Sequence, residues 1–148
     1  MVDIKKFGPT VMEYDLVKYE FDFGFRFPKE YKEFLKKING GVPTPHHFDF
    51  QNGEKKGLVI EIFLGIEIEK DHNVFYILKG IQPFFKDGWI PIALTKDGGI
   101  LFLGVEDEYY GKIYFWEKGE NPVGPSEGKN FFFVANNFDD FLNSIYDA

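Results

Sequence analysis

Apolar residues along this chain recur at helical spacing in some stretches and alternate at strand spacing in others, and the two periods divide it into elements. The clearest helix surrounds residues 28–38. Phe27, Tyr31, Phe34, Leu35 and Ile38 form one stripe at i, i+4, i+7, i+8 and i+11. Pro28 suits the first helical position, and Asn39-Gly40-Gly41 offers left-handed conformers to end the helix. Glu30 in the first turn and Lys36 and Lys37 in the last follow the helix dipole, and Glu33 and Lys37 stand as an i,i+4 pair. A shorter helix precedes it: Asp15 as cap, Leu16, Tyr19, Glu20 and Phe23 at helical spacing, Gly24 as stop. A third carries Val74, Ile77, Leu78 and Ile81, capped by Asp71 or Asn73 and ended by Gly80 and Pro83. The last, capped by Asn136 or Asn137, repeats Phe138, Phe141, Leu142 and Ile145 with Asp139 and Asp140 in its first turn.

Strand patterns fill the interval. Pro43 and Pro45 force an extended exit from Gly41, and residues 46–50 alternate as a half-buried strand does. Asn52-Gly53 marks a turn, and residues 58–64 are apolar enough for the middle of a sheet. Residues 89–94 read as a strand that Pro91 assigns to an edge or to a strand start. Lys96-Asp97-Gly98-Gly99 is a hairpin turn, residues 100–105 return, the acidic loop 106–111 turns again, and residues 112–117 complete a meander. Residues 118–129, rich in Gly and Pro, read as the most mobile loop, and residues 130–135 as a final strand. The order implies an α+β fold: one domain over residues 1–148, with an antiparallel or mixed sheet flanked by helices.

Composition narrows the function. Of 148 residues, 20% are aromatic (19 Phe, 8 Tyr and 2 Trp), so rings fill the core. The absence of cysteine excludes disulfides, thiolate metal sites and a cysteine nucleophile. The first residues lack the apolar run of a signal peptide, and no apolar stretch approaches the roughly 20 residues that span a bilayer, so a cytoplasmic, membrane-free protein is expected. The net charge of −7, from 24 acidic against 17 basic residues with Arg26 the single arginine, argues against nucleic acid as a direct ligand. It suits a basic protein partner, or simply solubility.

Candidate chemistry is sparse. His46 and His47 are adjacent on a strand and are expected on opposite faces, which separates them as metal ligands. His72 stands apart from both. Ser126 and Ser144 lack the G-x-S-x-G setting of a nucleophile. Glu61, Glu67 and Glu69 and the run Glu106-Asp107-Glu108 are carboxylates in quantity, most simply solvated. Asp97-Gly98-Gly99 is accounted for by turn chemistry. No catalytic residue, cofactor or metal is expected.

Glu20, the helix begun by Pro28 with Tyr31, Phe34 and Leu35, the stop Asn39-Gly40-Gly41, the segment 90–93 containing Pro91, the turn Asp97-Gly98-Gly99 and the segment 138–142 together resemble the SUKH superfamily, the Smi/Knr-like group. The resemblance runs from about Asp15 to about Ile145. It implies a SUKH fold and a role in binding proteins rather than in catalysis, commonly as a bacterial immunity protein against a polymorphic toxin such as a nuclease. The fungal members imply the alternative, a regulatory or scaffold module. Ile100 stands where such proteins often carry Asp or Asn after the glycine pair, so no binding role is assigned to that turn. The expected contacts with a basic toxin domain are Glu106, Asp107, Glu108, Tyr109, Tyr110 and Trp116, with Glu67 and Glu69 behind them, because aromatic residues beside charge are common at interfaces.

Overall fold

The computed structural model describes residues 3–6, 8–82, 87–118 and 130–147. Pro83, Ser126 and the loop expected to be mobile, apart from Lys118, lie outside the described residues. Among those described, eight strands and four α-helices make an α+β architecture: β1 (Asp3–Lys6), α1 (Glu13–Phe23), α2 (Lys29–Lys37), β2 (Gly41–Thr44), β3 (His47–Phe48), β4 (Leu58–Phe63), α3 (Val74–Ile81), β5 (Trp89–Thr95), β6 (Ile100–Gly104), β7 (Ile113–Trp116), β8 (Phe131–Ala135) and α4 (Phe138–Ser144). The sheet order is β1-β2-β4-β5-β6-β7-β8 with every pairing antiparallel, and β3 pairs with β4.

Alternation along the strands sorts side chains onto two faces. Leu101 and Leu103 of β6 and Ile113 and Phe115 of β7 join the main core with Leu16, Tyr31, Leu35, Val74, Phe75, Phe138 and Phe141 of the helices. Between them, Ile100, Phe102, Tyr114 and Trp116 belong to a smaller aromatic cluster with Trp89 and Phe131. The helices therefore cover one face and rings cluster on the other. Ile92 and Ala93 are neighbours yet both enter the main core, because the register shifts between Pro91 and Ala93.

That shift also corrects the expectation for Pro91. It lies inside an interior strand, not at an edge or start, and it is tolerated at the bulge, beyond the residues that pair with β4. Other boundaries move for local reasons. Met12, not Asp15, caps α1, and the Asp15 carboxylate accepts from the Met12 N–H at 2.9 Å, so Asp15 closes the first turn from inside. Gly24 ends α1 at φ 71° as expected. Pro28 precedes α2 by one residue instead of opening it. Gly80 lies within α3, whose cap is Asn73, accepting from the N–H groups of Phe75 and Tyr76. Asn137 caps α4 by accepting from Asp140 N–H at 2.8 Å. The first two strands were not anticipated, and the strand expected over 46–50 shortens to β3. The hairpin turn Lys96-Asp97-Gly98-Gly99 forms as read, closed by Thr95: Gly98 donates to Thr95 O at 3.1 Å, and Asp97 accepts from the Thr95 hydroxyl and from Gly99 N–H.

The Asn39-Gly40-Gly41 stop supplies the positive φ expected of it, at Gly40 (78°) and Gly41 (154°), but these residues follow the helix end instead of capping it. The helix closes at Ile38, which is extended at φ −139°. Asn39 instead turns inward, 1% exposed, and its amide binds three backbone groups: it donates to Ile66 O (2.7 Å) and Pro9 O (3.1 Å) and accepts from Ile66 N–H (2.8 Å). Its own carbonyl accepts from Gly8 N–H at 3.0 Å. A Cβ on Gly65 would lie 2.6 Å from the Asn39 Oδ1, so only glycine allows this approach.

The ion pairs also differ from expectation. Glu33 pairs with Lys36 rather than Lys37, at 3.7 Å. Glu20 accepts from Phe27 N–H at 2.8 Å, joining the end of α1 to the start of α2, and this is the physical work of that marker residue.

Removing the Asn39 amide strands buried backbone groups, each of which costs more unsatisfied than a typical bond contributes. Asn39→Ala is expected to lower unfolding free energy by about 3 kcal/mol with an unchanged denaturant slope. Urea titration followed by circular dichroism checks this, and a loss under about 0.5 kcal/mol would remove Asn39 from its central place.

Candidate functional site: an apolar and acidic surface on the first helix

The inner side of α1 is fixed by its neighbours. Leu16 is buried, Tyr19 stacks on Phe75 of α3 at 4.3 Å, and Phe23 packs on the same ring at 4.6 Å. On the α2 side, Glu13 binds Lys32 at 2.7 Å and Lys36 at 2.5 Å. With these positions turned inward, the 3.6-residue period leaves Tyr14, Val17 and Phe21, at i, i+3 and i+7, on one outward face. They are exposed by 72%, 49% and 85%. Large apolar side chains so exposed in a row make this face the candidate interaction surface.

The acidic turn adjoins the lower end of this stripe. Tyr110 donates its hydroxyl to Arg26 O at 3.1 Å, tying the turn to the segment that leaves α1. Phe21 and Tyr110 line one open groove with Glu20, Arg26, Glu106 and Asp107. Burial first, then the nearby Glu20 carboxylate, pushes the Tyr110 hydroxyl pKa up, so it stays a neutral donor. Glu106, Asp107 and Glu108 are exposed around a short 3₁₀ turn, in which Asp107 adopts φ 54°.

The remaining expected contacts separate from this surface. Tyr109 turns under the sheet, packing on Trp89 at 5.5 Å and Tyr114 at 5.7 Å. Trp116 sits at the opposite end of β7, opposite Ile100 and Phe131, and half-buried in the second aromatic cluster, so it is not beside the acidic turn. Glu67 lies on the other flank of α1, and Glu69 is exposed beside His72. Glu67 accepts from the Tyr19 hydroxyl at 3.1 Å, and burial together with that carboxylate pushes Tyr19 up to about 12. The stripe itself escaped the sequence reading, which followed only Leu16, Tyr19 and Phe23. Its signal was a second apolar row at helical spacing on the same short helix.

The histidines also differ from expectation. His46 precedes β3 rather than alternating within it, and the two rings approach to 4.8 Å instead of facing apart. His47 faces Tyr146, whose hydroxyl donates to Asp49 at 2.7 Å. Among the described residues no group of three or more His, Asp or Glu is placed to hold a metal ion. No described helix is long and apolar enough to cross a membrane.

Helices on one face of an antiparallel meander, with α1, the α2 stop and α4 where the motifs fall, define a class, and the family model described as the SMI1 / KNR4 family (SUKH-1) matches residues 11–144. The chain belongs to that family. Among curated proteins it is similar to the SPbeta prophage-derived uncharacterized protein YokK of Bacillus subtilis (strain 168), 27% identical over 165 residues that cover 99% of this chain and 80% of the relative.

The rim of the surface responds to pH with a defined sign. Hydrogen bonds from Lys32 and then Lys36 hold the Glu13 carboxyl below its ordinary 4.5. A pKa lowered by folding adds stability that is present above 4.5 and is lost as pH falls through the folded value. The stability advantage of the wild type over Glu13→Gln should be greatest near neutrality and shrink below pH 4.5, as thermal melts across pH at low salt would record.

Proposed function

We propose that this chain is a cytoplasmic, non-enzymatic immunity-type protein that binds a cognate toxin domain and blocks it by occluding its active site. The observation that carries the reading is the exposed row Tyr14, Val17 and Phe21 running into Tyr110 and the carboxylates of Glu106, Asp107 and Glu108. Rings supply contact area, and acidic residues around them steer a basic surface into place. A toxin acting on nucleic acid needs a basic groove to hold phosphates, and an acidic protein seated there excludes the substrate. Membership of the SMI1 / KNR4 family and similarity to a prophage-derived protein support the reading. Glu67, on the far flank of α1, and Glu69, beside His72, add to the negative charge of the protein.

The test is co-expression with the protein encoded beside this gene, followed by co-purification and stopped-flow binding. Reversing Glu106, Asp107 and Glu108 together to lysine should slow association roughly tenfold at low salt and much less at high salt. Phe21→Asp should act mainly on dissociation, raising its rate by tenfold or more. Circular dichroism should be unchanged in both, since all four side chains are exposed. Unaltered kinetics in both variants would move the interface elsewhere. Failure of the neighbouring protein to bind at all would favour the regulatory scaffold role.

A further inference from the structure

A second cavity opens directly beside the groove that holds Phe21 and Tyr110, sharing Gly24, Phe25, Val105 and Glu106 with it. Its volume is about 320 Å³, the low end of the ~300–1,000 Å³ of ligand pockets, which suits one long side chain better than a whole small molecule. Phe23, Phe25, Leu78 and Val105 contribute to its walls. Asp87 and Glu106, both exposed, line it as well. Glu106 lies against Gly88, its Cδ 3.2 Å from where a side chain on Gly88 would begin, and Val105 N–H donates to Gly88 O at 2.8 Å, which joins the two backbone segments.

Neither carboxylate forms an ion pair with a described residue. Arg26, the chain's own arginine, lines the neighbouring groove and not this cavity. The cavity thus combines apolar walls, two half-buried rings, of which Phe23 has Lys79 Nζ 6.0 Å from its centre, and two carboxylates that form no ion pair with a described residue. An arginine side chain matches this combination: its methylene stem packs on apolar surface, its planar guanidinium stacks on rings, and its fork of donors fits carboxylates.

We infer that this cavity receives an arginine side chain of the partner polypeptide, seated between Phe23 and Phe25 on one side and Asp87 and Glu106 on the other. The inference deepens the proposed immunity function, and the slot would fix the register of the partner whose neighbouring residues cover Phe21 and Tyr110. A basic protein surface offers such a residue. The slot adds specificity to what the acidic turn provides as long-range attraction.

The slot can be tested without the toxin. The full chain, labelled with nitrogen-15, is titrated with capped glycine-arginine-glycine and with the same peptide carrying lysine or citrulline. The arginine peptide should give saturable shifts at the amides of Gly24, Gly88 and Val105. Citrulline, of the same shape without the charge, should bind at least about tenfold more weakly, and lysine should fall between. The double variant Asp87→Asn with Glu106→Gln changes exposed side chains only and should lose the response while keeping the rest of its spectrum. Equal shifts from citrulline, a response retained in the double variant, or non-saturating shifts spread over Asp107, Glu108, Glu67 and Glu69 would each overturn the slot. Saturable binding here together with no binding by the neighbouring gene's protein would support the slot and overturn the immunity reading. The reverse pattern would overturn the slot alone.

Discussion

The amide of Asn39 is the constraint on which the rest of the helical layer depends. One buried side chain meets the backbone at Pro9 and on both sides of Ile66, so it fixes three separated segments: the approach to α1, the turn after α2 and the chain leaving β4. Such groups are costly unless every bond is made, and once all are made they tolerate few alternative arrangements. Gly65 and Gly8 have to be glycine for the amide to reach its partners. With this junction set, α2 can lay Phe34 against Phe63 and Phe138 and Tyr31 against Phe138, and α4 is brought to the same place by its own two phenylalanines. Glu30 completes the link by accepting from Asp139 N–H at 3.2 Å at the start of α4.

The regular elements were legible in the sequence because each carried its own local signal. The stripe from Phe27 to Ile38, the Asp97-Gly98-Gly99 turn and the Asn137 cap all act within a few residues, so reading along the chain finds them. What was not legible depends on distance. Asn39 resembles any helix-stop asparagine until Ile66, well along the chain, is brought beside it. β1 carries too few residues for a pattern and exists because Gly41 to Thr44 offers it an edge. Pro91 looks like an edge residue because its missing donor is a local fact, whereas the bulge that accommodates it belongs to a pair of strands.

The same division explains the surface. The acidic turn was visible as a run of carboxylates, but its neighbours were not. Tyr109 and Tyr110 are adjacent in sequence and diverge in space, one turned beneath the sheet against Trp89 and the other toward Arg26. Trp116 was grouped with the turn by nearness along the chain, yet the length of β7 separates them. The partner row on α1 was hidden by its companion: a helix of 11 residues with apolar positions on both sides has weak amphipathicity, and the inner row is the one a search for a core selects.

That weak amphipathicity bears on the proposed function. A helix whose only task is to cover a sheet gains nothing from an exposed phenylalanine, and neighbouring α2, with one apolar face and one charged face, has the economical pattern. On α1, Glu13 and Glu20 engage Lys32 and the Phe27 N–H, so the charged positions next to the row are already committed to holding the helix down. The outer row is therefore mounted on a helix anchored by these contacts, and at its Phe21 end it meets the acidic 106–108 turn. In the proposed complex such a surface needs little reordering, so the ordering cost of binding would fall mainly on the partner. The fold thus separates two rows along one short helix, with Leu16, Tyr19 and Phe23 anchoring it and Tyr14, Val17 and Phe21 left exposed, the row on which the proposed binding rests.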